Sequence, residues 1–139
     1  MRLAPIKNRL IAQVPAFASV AGAAALALAL KQGQFNHQAY VFTSKIGAGN
    51  NGLVNAVSQR VQHEITVAYW ASDVSDSTGE AVTEDIEDLR DAVITALLGW
   101  TPDGLMVPFL YRDGSVMQFN FGRVLWGDRF VIDTYLRQA

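Results

Sequence analysis

Residues 76–102, DSTGEAVTEDIEDLRDAVITALLGWTP, spell a helix with both ends marked, and no other stretch constrains the fold as tightly. Ser77 and Glu80 stand at capping-box spacing, so hydroxyl and carboxylate can satisfy orphan amides of the first turn reciprocally. Glu80, Glu84, Asp85, Glu87 and Asp88 place negative charge where the helix macrodipole favours it. Val82, Ile86, Leu89, Val93 and Leu97 recur at three- and four-residue steps and make one apolar stripe. Gly99 suits the left-handed position after the last turn, Trp100 can fold back onto that turn, and Pro102 prevents continuation. A helix over 79–98 therefore has one face to bury and an acidic face expected to stay in solvent. It offers no activated nucleophile, no histidine and no metal-ligand spacing, which points to an assembly part rather than an enzyme.

With 139 residues the chain can build one real core, and a single domain over 1–139 is expected. Half of the residues are apolar and only 17% are charged, against roughly 25% in typical soluble domains. A small domain has much surface to cover, so this shortage of charge implies that a partner hides some of it. The absence of cysteine excludes disulfides, thiolate metal sites and a cysteine nucleophile. The net charge of −2 conceals a polarity along the chain. Up to His63 every charged residue is basic (Arg2, Lys7, Arg9, Lys31, Lys45, Arg60), whereas Asp73–Asp91 holds eight acids and only Arg90. Such halves can attract each other within one fold or between neighbouring copies.

Residues 14–30, VPAFASVAGAAALALAL, are uncharged and resemble the apolar core of a signal peptide. Alanine dominates the run, Pro15 and Gly22 interrupt it, and it is short for a membrane span. It reads as parts of two packed helices, 3–13 and 20–31, joined by a Pro15–Ser19 turn, and no membrane association is expected.

After Gly33 the pattern turns to strands. Ala39–Thr43 reads as a short strand and Ser44–Gly52 as a Gly/Asn-rich loop. Val57–Ser72 alternates at length, with Val57, Val61, Ile65, Val67, Tyr69 and Ala71 on one side and mostly polar residues on the other. Val107–Tyr111 and Val116–Phe121 flank Arg112-Asp113-Gly114-Ser115, and Asp-Gly between apolar runs predicts a hairpin turn. Val124–Trp126, a Gly127-Asp128 turn and Phe130–Leu136 complete the sheet. Apolar residues on both faces of the last segment imply cover on both sides, one layer from the chain's helices and the second from another subunit. The element order predicts an α+β two-layer domain with a mixed, mostly antiparallel sheet packed by about three helices.

Each chemical motif has a simpler structural reading. Gly47-Ala48-Gly49-Asn50-Asn51-Gly52 matches the dinucleotide fingerprint literally, but that motif needs a helix directly after it. The alternation through Tyr69 makes it a loop, and an irregular loop is a reasonable place for partner contacts. Asp73, Ser75, Ser77 and Glu84 fall at calcium-loop spacing, yet Thr78 stands where the loop requires glycine. His37 and His63 are the only histidines, and neither has a second ligand at helix or strand spacing. No G-x-S-x-G elbow occurs. Basic residues are dispersed and do not interleave with aromatics, so nucleic-acid readout gains no support. No catalytic, cofactor-binding or metal-binding residue is assigned.

Taken together, API-x-x-RL-x-x-QVP at 4–15, V-x-GAA-x-LA-x-A at 20–29, QRV at 59–61, EDLRDAVITALLGWTP at 87–102 and VLWGDRFVIDTYLR at 124–137 span nearly the whole chain. These segments resemble the tail-terminator or tail-completion proteins of Mu-like phages, which are distantly similar to the terminator of the lambda tail. The resemblance implies a virion structural protein, assembled in the host cytoplasm, that forms a hexameric ring on the head-proximal end of the tail tube. Such a ring stops tube polymerisation, docks the head connector and leaves a lumen through which DNA passes without sequence-specific binding. It implies no enzyme activity, no cofactor and no membrane. Another head–tail connector, an adaptor or stopper ring, is the alternative, with a small enzyme behind it. From the residues themselves, the Lys45–Asn55 loop and strand 57–72 are expected to make subunit or tube contacts, with Lys45, Asn50, Asn51, Arg60 and Glu64 as candidates.

Overall fold

The computed structural model describes residues 1–32, 38–72, 80–120 and 123–138. The chain runs α1 (Ala4–Gln13), β1 (Ser19–Ala21), α2 (Ala23–Gln32), β2 (Gln38–Asn51), β3 (Val57–Ser72), α3 (Glu80–Leu97), β4 (Leu110–Asn120) and β5 (Arg123–Gln138). All five strands form one sheet in the order β1-β2-β3-β5-β4, parallel only between β1 and β2. The α+β expectation holds, with three helices on a mixed, mostly antiparallel sheet.

Local signals set the helices. In α1, which carries proline in its first turn, Ile6 and Leu10 are one turn apart and both fully buried. In α3 the stripe buries Val93 and Leu97 together with Ala96. Gly99 takes φ +78°, and the Trp100 amide donates to the Leu97 carbonyl at 3.0 Å, closing the helix where the sequence predicts. Arg9 Nε donates to the Ala96 carbonyl at 2.5 Å. This sets a cation on the negative end of α3 and ties α1 to it. Glu87, Asp88 and Asp91 are exposed, as expected of the acidic face. The Ser77–Glu80 capping box, the Asp73–Ser77 part of the calcium-like spacing and His37 lie outside the described residues.

The 3–13 and 20–31 helices do not pack on each other. β1 intervenes and pairs with Gln38–Tyr40 of β2. Beyond it, α2 lies on the opposite sheet face from α1 and α3. Ile65, Val67 and Tyr69 of β3 join the core under α1 and α3, while Ala68 and Trp70 join Leu26 and Ala29 of α2. Part of the second cover, expected from another subunit, thus comes from the chain itself.

Three turn or loop expectations are corrected. Ser44–Gly52 is not a loop: β2 runs through to Asn51, with irregularities between Thr43 and Lys45 and between Ala48 and Asn51. Ser44 is the extra residue of the first, and its hydroxyl accepts from Thr66 Oγ1 (2.8 Å) and donates to Glu64 Oε1 (2.9 Å). Cross-strand partners therefore compensate the poor strand propensity of a Gly/Asn run. Arg112–Ser115 is not a hairpin turn, because β4 continues from Leu110 to Asn120. Nor do Gly127 and Asp128 form a turn, since β5 is continuous. Gly114 lies opposite Asp128, and Ser115 opposite Gly127. Both glycines sit beneath large side chains of the neighbouring strand, so here they supply room in a paired ribbon rather than a reversal.

Candidate assembly surface

On the face that carries α2, three strands continue together past the residues which that helix covers. Glu64 pairs with both Lys45 and Val131, Gln62 with both Gly47 and Asp133, and Gln59 with both Asn51 and Leu136. On the face away from α1 and α3, alternation brings Arg60, Gln62 and Glu64 of β3 side by side with Lys45 of β2. Together with Arg112 they line an open hollow of about 220 Å³ whose wall includes Gly47 and Gly49. A Cβ on Gly47 would meet nothing within 4 Å, so a strand residue without a side chain keeps the hollow wide.

The hollow is charged. Arg112 is paired with Glu64, whose side chain is 12% exposed, and Arg60 lies 3.9 Å from Asp133. Nearby, Asp113 accepts from Arg129 Nε at 2.5 Å, and this bond raises the Arg129 pKa. The Arg60 and Arg112 side chains are about half exposed, and such pairs contribute only about 0–1 kcal/mol each. Their pairing therefore adds little to the stability of the fold.

Three of the five candidate residues, Lys45, Arg60 and Glu64, come together in this hollow. Asn50 is exposed near the end of β2. Asn51 acts internally: its Nδ2 donates to the Leu53 and Ala56 carbonyls at 2.9 Å, and its Oδ1 accepts from the Ser58 amide at 2.8 Å. That brace shapes the β2–β3 connection and leaves Leu53 50% and Val54 96% exposed at its tip. Sequence reasoning passed over this apolar tip, although two aliphatic residues inside a polar Gly/Asn run are a visible signal.

It also missed the brace that holds the sheet to α3. Asp128 is fully buried. It accepts from Tyr69 Oη (2.5 Å), Tyr111 Oη (2.9 Å) and Trp126 Nε1 (2.9 Å), and Arg90 Nε of α3 stands 3.6 Å away. Burial, then the Asp128 charge, pushes the Tyr69 hydroxyl far above its ordinary range. Burial likewise raises Tyr111, while the Arg90 hydrogen bond opposes that rise. Both phenols stay protonated and remain donors. An acid in the middle of an apolar alternation, at WGDRF, is the sequence signal for such a brace.

His63 is 8% exposed, and its Nε2 lies 2.9 Å from Thr134 Oγ1. It is a satisfied core histidine. Burial first, and then the positive N-terminal amino group, lowers its pKa. The unfolded chain therefore binds the extra proton more readily as pH falls through about 6.5, so stability present above that pH is lost on acidification. Urea unfolding at pH 7.5 and 5.5 should show this loss in the native chain and a flatter dependence in His63→Gln. Equal slopes would mean that His63 does not contribute.

Among the described residues no group of three or more His, Asp or Glu side chains is placed to hold a metal ion, and no helix is long and apolar enough to cross a membrane. A family model described as phage tail terminator protein matches residues 1–139, and the chain belongs to that family. No curated protein matches the chain.

Proposed function

We propose that this member of the phage tail terminator family, a structural component of the phage tail, closes a sixfold ring on the head-proximal end of the tail tube. The ring stops tube growth and offers the head connector a docking surface, and DNA crosses its lumen without base readout. No step of this work is catalytic. Lys45, Arg60 and Glu64 belong to the contact surface through which the ring closes or seats on the tube. The observation that carries this reading is the charged hollow on the extended β2–β3–β5 ribbon, which no helix residue lines. Charged groups at such a rim steer encounter and fix register more than they add affinity.

Purified protein mixed with growing tail tubes and imaged in negative stain tests the reading. Native protein should appear as a six-membered cap at one tube end and halt elongation. Lys45→Glu combined with Arg60→Glu should keep the melting temperature within a few degrees, since both side chains are exposed, while caps become rare. Reversals that leave both ring formation and tube docking unchanged would remove the hollow from the mechanism. Rings of another multiplicity, seated on the head connector alone, would favour an adaptor or stopper instead.

A further inference from the structure

We infer that neighbouring copies join by strand addition, the outer edge of β2 (Ser44–Asn51) in one copy running parallel to the outer edge of β5 (Ile132–Gln138) in the next. This rests on the ring reading above and specifies its contact. β1 pairs with β2 only through Gln38–Tyr40, and β4 pairs with β5 only as far as Val131. Beyond those points both strands continue, and among the described residues they pair with β3 on their inner side alone. Each therefore presents a row of outward backbone donors and acceptors, a template for another strand.

The two edges match. β3 lies between them and registers both, so that Ala48 and Thr134 pair with Val61, and Asn51 and Leu136 pair with Gln59. They stand at the same height, are nearly equal in length and face opposite ways. Both are antiparallel to β3 and hence parallel to each other. Placing a second copy's β5 against β2 continues the sheet and leaves a free edge of each kind at the ends. That is a heterologous contact able to close by rotation. The edges are lightly guarded: proline is absent from both, Lys45 is the only charge on the β2 stretch, whose ladder is irregular at its two ends, and Asp133 and Arg137 are the charges on the β5 stretch.

Side chains agree with the pairing. A groove of about 180 Å³ borders the β5 edge, lined by Leu105, Met106, Val107 and Tyr135, with Met106 83% exposed. On the β2 edge, Ile46 is 61% exposed and shares the sheet face of Ile132. On the other face Lys45 brings a cation and Asp133 an acid. A second copy is the occupant because one chain carries both halves of the contact.

The chain has no cysteine, which gives a clean test. Ala48→Cys is combined in turn with Thr134→Cys, Tyr135→Cys or Leu136→Cys, and the protein is oxidised while bound to tail tubes. Within one copy these positions are two strand spacings apart, about 9–10 Å. That exceeds the roughly 7 Å limit of Cα separation for a disulfide, so any bridge joins two copies. At least one pair should give a reducible ladder of covalent multimers up to ring size, and no single-cysteine variant should. Rings visible on the tubes without a ladder from any pair would overturn the strand contact while leaving the ring intact. Neither rings nor ladders would overturn both. Dimers from single variants would show a two-fold contact and also refute it.

Discussion

Replacing Asp128 with alanine is expected to destabilise the fold by about 3–5 kcal/mol, because it leaves the buried end of Arg90 without its counter-charge. It also strands the hydroxyls of Tyr69 and Tyr111 and the indole N–H of Trp126, all of which now end on that carboxylate. Removing one partner of a buried network is worse than never having built it, since the others keep their desolvation cost. Urea titration or calorimetry reads the change directly, and for a chain of this size the melting temperature should fall by roughly 10–15 °C. Asp128→Asn keeps an acceptor oxygen but not the charge, and should lie between the two. A loss below about 1 kcal/mol for the alanine variant would show that the brace contributes little.

Gly114→Ala should cost less, about 1–3 kcal/mol, for a related reason. A Cβ there would lie 2.6 Å from both Asp128 Oδ1 and Tyr111 Oη, and 2.9 Å from Trp126 Cζ2. Those three groups hold one another, so none can retreat without breaking a buried hydrogen bond. Gly127→Ala makes the contrast. Its Cβ would meet Met117 Sδ at 2.6 Å, but Met117 is 44% exposed and unbranched and can swing outward. The expected order is a large effect at position 114 and a small one at 127. Combining Gly114→Ala with Asp128→Ala should cost less than the sum of the two, because the second change empties the space the first invades. Equal single effects, or strict additivity, would contradict this account of the ribbon.

These two predictions concern residues whose role the sequence disguised, whereas other features were legible. The bounds of β3 at Val57 and Ser72 follow from alternation alone, and the C-terminal end of α3 follows from Gly99 and the apolar stripe. Both signals lie within a few residues of the backbone they govern. Arg60 and Glu64 sharing a face was likewise readable, since side chains in a strand repeat every second residue. That Lys45 joins them was not, because Ser44 shifts the register between β2 and β3. Arg112 escaped notice for a similar reason, hidden inside an apparent turn.

By itself, then, the sequence determined the strong local elements, α1, α3 and β3, and the α+β class. Tertiary structure alone decided that β1 separates α1 from α2 and sends them to opposite faces. It also decided that both Asp-Gly-type signals run straight through strands and that Asp128 is buried. Periodicity and caps act over one or two turns of chain. Whether a glycine bends a strand or makes room within it depends on a side chain that folding brings from a distant part of the sequence.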